Sequence, residues 1–249
     1  MNLVISRLKL LSALAAVFLI IVLIWWLKNR EPYEPEAPRS GIYGTYSTNF
    51  PTAENPISEG RKWINGKTDG LLWADVRTVS GFAFGTQSGS GGYDDSTAVL
   101  AGSWGPTQTV TATIHTRNPS ASKTVYQEVE LRLRTRITAN SMTGYEVNFS
   151  CSTNPANFYA EIVRWNGPLG SFKYLKRSTY HCADGDIVKA AMSGRTIEVF
   201  VNNVRIMQAS DNAFATGNPG IGFFLQGSGP EANAEFGLSS FTATDTPAE

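Results

Sequence analysis

The sequence predicts an all-β domain of two packed antiparallel sheets, preceded by one N-terminal transmembrane helix. Three observations carry this prediction. Leu10 to Leu27 is an apolar run broken only by Ser12. After residue 41 helical periodicity is absent, and short β-rich runs bounded by Gly, Asn, Pro or Asp recur instead. Between residues 125 and 151 apolar and polar side chains alternate, which is the period of a strand with one buried face.

In chain order, the apolar run comes first. Eighteen residues of helix reach about 27 Å, close to the hydrocarbon thickness of a bilayer. Trp25 and Trp26 fall where an interfacial aromatic belt sits. A cleaved leader needs a small-residue site after its apolar region, but Trp25-Trp26-Leu27-Lys28 stands there and Ala13 to Ala16 lies too early. Residues 1–30 are therefore expected to be an uncleaved anchor, with the membrane as a partner through residues 10–27. Two basic residues flank each side, so charge does not set the orientation. Residues 31–42 hold Pro32, Pro35 and Pro38 at steps of three and read as an extended linker. Residues 43–249 are enough for one well-cored domain.

Among 249 residues, 21 are basic and 21 acidic, with no basic block, which argues against nucleic acid as a partner. Cys151 and Cys182 are too far apart for a local metal pair, and two thiols alone make a poor structural zinc site. A disulfide fits better and implies export to the periplasm or cell surface; two buried free thiols are the alternative.

The expected strands include "GFAFGT", "STAVLAG", "QTVTATIH", "YEVNFSC", "IVKAAM", "TIEVFV", "GIGFFLQ" and "AEFGLSSFTA", about a dozen in all. "VNNV" at 201–204 signals a hairpin, because Asn tolerates positive φ. "DGD" at 184–186 and "SGR" at 193–195 mark further turns. In "VYQEVELRLRTRI", residues 125–137, the alternation sends Val125, Val129, Leu131, Leu133 and Ile137 to the core. Glu128, Glu130, Arg132, Arg134 and Arg136 point the other way. The next strand repeats the pattern, with Tyr145, Val147, Phe149 and Cys151 inside and Glu146 and Asn148 outside. The expected register sets Ile137 beside Tyr145 and Arg136 beside Glu146; a shift of two residues keeps the parity and brings Glu146 to Arg134. The plain reading of this ladder is a solvated strand face. The sharper one is the floor of a sugar-binding surface, formed by Glu128, Glu130, Arg132, Arg134, Arg136, Glu146 and Asn148, with Trp165 as a further contact.

From "YEVNFSC" through "AEIVRWNGPLGSFKYL" to "GDIVKAAMSGRTIEVFVNNVRIMQASDNAFATGNPGIGFFLQG", the chain resembles the concanavalin A-like lectin and glucanase superfamily. In particular it resembles the laminin G-like domains of bacterial exported proteins. The resemblance covers residues 43 to 243 and implies a two-sheet jelly-roll sandwich whose concave sheet or rim loops bind carbohydrate. It contains no catalytic signature, so function has to come from the site.

Glu128 and Glu130 share a face, but Arg132 and Arg134 nearby are expected to hold both ionised, whereas a glycosidase acid needs a raised pKa. The run also lacks the last acid of the glycosidase pattern Glu-x-Asp-x-Glu. A polysaccharide lyase needs Arg, His, Tyr and Gln or Asn around a uronate. "VELRLR" and "TIH" ending at His115 resemble parts of that set, but in the wrong order, and "YLKRS" from Tyr174 replaces the late tyrosine strand poorly. His181 adjoins Cys182 and reads as a loop residue, and "GTQSGSGG" lacks the strand-to-helix context of a serine nucleophile. No catalytic residue and no metal ligand is assigned. Calcium is conceivable from Asp94, Asp95, Asp184, Asp186 and Asp211 with Asn212, yet none has the spacing of a calcium loop and turn formation explains them.

Trp63, Trp73, Trp104 and Trp165 lie outside the anchor, and large aromatics in a sandwich are usually core. Trp165 enters a Gly/Pro turn, and its parity is open. The expectation is a membrane-anchored extracytoplasmic module that binds carbohydrate. An enzyme on the same scaffold and an adhesive domain that binds protein are the alternatives.

Overall fold

The computed structural model describes residues 44–67 and 72–246. The expected anchor at 1–30 and the linker at 31–42 lie outside these residues. Among the described residues no helix is long and apolar enough to cross a membrane.

Fifteen strands follow one another: β1 (Thr45–Thr48), β2 (Trp63–Asn65), β3 (Val76–Val79), β4 (Phe82–Gly85), β5 (Ser96–Leu100), β6 (Thr107–Thr116), β7 (Tyr126–Thr138), β8 (Ser141–Ser150), β9 (Ala160–Gly167), β10 (Phe172–Ser178), β11 (Ile187–Ser193), β12 (Thr196–Val201), β13 (Val204–Ser210), β14 (Asn218–Gln226) and β15 (Phe236–Thr246). They form two antiparallel sheets. One runs β13-β12-β11-β6-β15-β4-β3, with β1 also on β15, and the other β10-β9-β8-β7-β14-β5-β2.

The sheets face each other because their strands alternate. Val110, Ala112 and Ile114 of β6 and Val188, Ala190 and Met192 of β11 meet Val129, Leu131 and Leu133 of β7 and Tyr145, Val147 and Phe149 of β8 in one buried cluster. Asn202 and Asn203, at φ 48° and 65°, close the β12–β13 hairpin as "VNNV" predicts. Cys151 and Cys182 form the expected disulfide, with Cα atoms 5.0 Å apart. It ties the end of β8, in one sheet, to the segment that enters β11 in the other.

The parity of β7 holds, but its register differs from both expected ones. Leu133 pairs with Tyr145, Arg132 with Glu146, Glu130 with Asn148 and Glu128 with Ser150. Two features set this register. The hairpin turns on Ala139 and Asn140 alone, with Thr138 paired to Ser141, and a bulge adds one further residue where Arg134 and Thr135 together stand between the pairs Leu133–Tyr145 and Arg136–Thr143, opposite the single residue Gly144. Arg134 takes φ 47°, and a Cβ on Gly144 would collide with the Arg134 carbonyl and Thr135 Cα. The extra residue inverts the parity beyond it. Ile137 therefore pairs with Met142 and packs against the Trp73, Val163 and Trp165 cluster on the outer side of the sheet, not in the core beside Tyr145.

Candidate functional site

The outer face of the second sheet carries the site. Pairing aligns Glu128, Glu130 and Arg132 of β7 with Glu146 and Asn148 of β8, with Glu161, Val163 and Trp165 of β9, and with Gly222 and Phe224 of β14. This face is not a wet ladder. Glu130 is 0% exposed, Arg132 1% and Glu146 3%. The expectation of a solvated face fails because aromatic side chains cover it. Trp165 packs edge-on against Trp73 at 5.6 Å, and Tyr93 against Phe172 at 5.0 Å.

Arg132 organises the buried charge. Its Nη1 donates to Glu146 Oε2 at 2.8 Å, and its Nη2 donates to Glu130 and, at 3.4 Å, to Asp95 Oδ2. Oxygens of Asp95, Glu130 and Glu146 lie within 4.8 Å of one another, a spacing that could serve a metal ion. The guanidinium already bonds to all three, so a cation would have to displace it. Gly222 makes the arrangement possible, since a Cβ there would run into the Glu130 carboxylate and the Arg132 guanidinium.

Burial shifts these groups. It pushes Asp95 up to about 8, with the Glu146 charge adding to the shift and Arg132 opposing it. Burial also holds Glu128 well above the usual carboxylate range against the hydrogen bond donated by Tyr159, and Glu130 against the attraction of Arg132. For Arg132 burial works downward, but Glu130, Glu146 and Asp95 outweigh it and raise the guanidinium. The expectation that neighbouring arginines keep both glutamates ionised is thereby corrected. Desolvation exceeds the attraction of one guanidinium, and Arg134 has left the face.

Arg134 turns away at the bulge, where its Nε and Nη1 donate to the carbonyls of Pro106 at 2.7 Å and Phe214 at 3.0 Å. Arg136 is exposed, and its Nη2 donates to Thr216 Oγ1 at 2.7 Å. Neither meets Glu146. Trp165 resolves to the outer side with Glu161 and Val163; it is 3% exposed and its Nε1 donates to Glu146 Oε2 at 2.6 Å. It is a wall of the site, not a stacking platform.

Above the charged layer lies a solvent-open cleft of about 50 Å³, small beside typical small-molecule sites, so that a ligand would lie across its opening. Asp95, Glu128, Glu146 and Asn148 form its floor, Val163, Trp165 and Phe224 its walls, and Tyr93, Phe172 and Tyr174 its rim. Tyr93 and Tyr174 are 50% and 55% exposed, and Phe172 contacts both rings. Asn148 Nδ2 donates to Glu146 Oε1 at 3.2 Å and to Glu161. These carboxylates fix the amide, leaving its buried Oδ1 without a donor at the cleft floor.

Of the residues expected here from sequence, Glu128, Glu146, Asn148 and Trp165 reach the cleft, while Glu130 and Arg132 lie beneath it. Sequence reasoning missed Asp95 and the aromatic rim. "GGYDDST" drew attention only for possible calcium ligands and "YLKRS" only as a lyase fragment. Of the other candidate aspartates, Asp186 and Asp211 serve turns, Asp184 braces the end of β6, and Asp94 accepts from Gln87 Nε2 at 3.0 Å. Asp184 accepts from Thr116 N, Asp186 from Ala183 N, and Asp211 from Ala213 N. His115 contacts Asp184 at 2.9 Å, and His181 packs on Phe158 at 4.4 Å.

No protein-family model and no curated protein sequence matches the chain. Solved structures do. The exoplasmic/lumenal domain of VIP36, in a Ca2+/Man-bound form, aligns with a TM-score of 0.55 at 12% identity, covering 82% of this chain and 91% of that one. The kappa-carrageenase of Pseudoalteromonas carrageenovora, in complex with an oligotetrasaccharide of kappa-carrageenan, aligns at 0.51 and 12% identity, over 87% and 99%. Carbohydrate binding module CBM66 of Bacillus subtilis aligns at 0.50 and 12% identity, over 76% and 96%. At 12% identity such likeness speaks to the fold alone, a two-sheet antiparallel β-sandwich that these structures share with this chain.

Proposed function

We propose that the chain is a membrane-anchored, extracytoplasmic, laminin G-like module whose concave cleft binds carbohydrate. The carrying observation is the cleft itself. Two half-exposed tyrosine rings stand over a floor whose acceptors are held in place from below. Ring faces suit the C–H face of a sugar, and fixed acceptors suit its hydroxyls. The matched structures named for carbohydrate recognition are in keeping with this reading. The disulfide supports export, and the apolar run at 10–27 supports the anchor.

A glycan array probed with the full chain tests the binding. Hits that disappear in Tyr93→Ala/Tyr174→Ala but persist in Arg136→Ala are the expected result, and silence on every glycan would end the proposal. Membrane fractionation tests the anchor, because the full chain should sediment with membranes and a chain starting at residue 43 should stay in the supernatant.

One observation favours a second reading, glycoside hydrolysis. Glu128 is held up by burial in a cleft it shares with Glu146 and Asp95, which is the state a general acid requires. New reducing ends released from a bound glycan, and lost in Glu128→Gln, would establish it.

A further inference from the structure

Resting on the carbohydrate reading, we propose that the cleft selects glycans with unsubstituted amino sugars, seating a hexosamine ammonium against Glu128, Asp95 and the Asn148 carbonyl.

Three observations carry it. The first is the balance of charge around the cleft. Carboxyl groups come from three adjacent strands and from the residue preceding a fourth: Glu128 and Glu130 on β7, Glu146 on β8, Glu161 on β9 and Asp95 just before β5. Against these five stand two guanidiniums. Arg132 is spent on three of the carboxylates below the floor, and Arg177, 59% exposed, is paired with Glu161 at 3.1 Å at the β10 edge. The β14 residues on this face, Gly222 and Phe224, bring no charge. A uronate or sulfated glycan would add charge of the same sign to this group, whose Asp95 and Glu128 burial already holds toward the protonated form, and a neutral sugar would leave those protons in place. An ammonium lets them ionise and pairs with the charge so formed.

The second observation is independent of the carboxylates' number. Asn148 Oδ1 is buried at the cleft floor with no donor, because the amide nitrogen is already engaged by Glu146 and Glu161. A buried acceptor of this kind is completed by a ligand that brings N–H or O–H groups, and an ammonium brings three donors. The third is the rim. Tyr93, Phe172 and Tyr174 present ring edges and faces to the same opening, and aromatic faces attract cations.

The test titrates the full chain, held in lipid nanodiscs to avoid sugar-based detergents, with three tetramers: glucosamine, N-acetylglucosamine and a uronic acid. The glucosamine tetramer should bind about tenfold or more tighter than its acetylated counterpart, with that preference shrinking as salt rises, and the uronate should not bind. Glu128→Gln should cut the preference to about threefold or less, because a carboxyl able to ionise against the ammonium is gone while the shape stays. Should that variant fail to fold, Tyr174→Ala, at an exposed rim position, should still weaken the glucosamine tetramer by about threefold or more. Equal or tighter binding of the acetylated tetramer overturns the amino-sugar proposal and leaves the carbohydrate reading standing. Binding of none of the three, together with a silent glycan array, removes both.

Discussion

Arg132 shows how a single side chain sets the character of the site. One planar fork serves Glu130, Glu146 and Asp95 at almost complete burial, and nothing else in the cluster supplies positive charge at that depth. Replacing it with Met keeps the volume but leaves three carboxyls to face one another. The expected loss is about 3 to 5 kcal/mol in urea unfolding, and Arg132→Lys should lose less, since it keeps the charge without the fork. The same burial gives the domain an unusual pH response. Asp95 has a folded pKa near 8 against an unfolded value of about 3.9, so the folded state binds the extra proton. Its contribution is complete below about pH 4 and is lost as pH rises through about 8. Glu128 and Glu130 act in the same direction, whereas Asp184, Asp186 and Asp211, all held below their ordinary value, oppose it only at the acid end. Thermal midpoints across pH 5 to 8 should fall in the wild type and fall less in Asp95→Asn; a midpoint that rises over this range would contradict the assignment.

At the level of elements, the β7–β8 pair shows what periodicity can and cannot say. Alternation placed Val129, Leu131 and Leu133 in the core, and all three are fully buried. It could not show the bulge at Arg134 and Thr135, because an inserted residue leaves the hydrophobic pattern on either side looking continuous. From that one residue follow the loss of Arg134 from the ladder and the turning of Ile137 toward Trp165, while the tight turn at Ala139 and Asn140 supplies the rest of the register shift. Nor could alternation distinguish a polar face in water from a polar face under a lid of aromatics, since both read as charged residues at every second position. Asp95 and Tyr93 lie outside the regular strands, where no period marks them. The bulge has its own test. Gly144 sits opposite it at φ 139° with no room for a Cβ, so Gly144→Ala should cost about 1 to 3 kcal/mol through strain. The core substitution Val147→Ala, one turn of the pleat away, should cost a similar amount without shifting the register. Amide exchange at Arg134 and Thr135 should separate the two, accelerating in the glycine variant and remaining slow in the valine variant.

Residues 44–67 and 72–246 form two sheets, the second with a polar outer face, and each sheet depends on the other for burial of its inner side. The disulfide is the one covalent link between them through side chains among the described residues, joining the end of β8 to the approach to β11 across 31 residues of sequence. This link was legible from cysteine count and spacing, because two cysteines in a chain with an apparent export anchor have few other uses. The fold class was equally legible, since it follows from strand and turn signals summed over two hundred residues, and no single error of register alters it. A loop of 31 residues closed in the unfolded chain is worth about 3 to 4 kcal/mol in the chain-entropy model. Cys151→Ser/Cys182→Ser should therefore unfold at lower urea by about that amount while keeping the same slope, because the folded surface is unchanged. Adding reductant to the wild type should reproduce the loss, and should do nothing to the double variant. Both cysteines sit at the core's edge, yet the cleft lies on the opposite face of the second sheet. Glycan binding by the reduced protein should accordingly persist at temperatures below its lowered midpoint, and binding lost before the midpoint would mean that the bridge shapes the cleft as well as stabilising the sandwich.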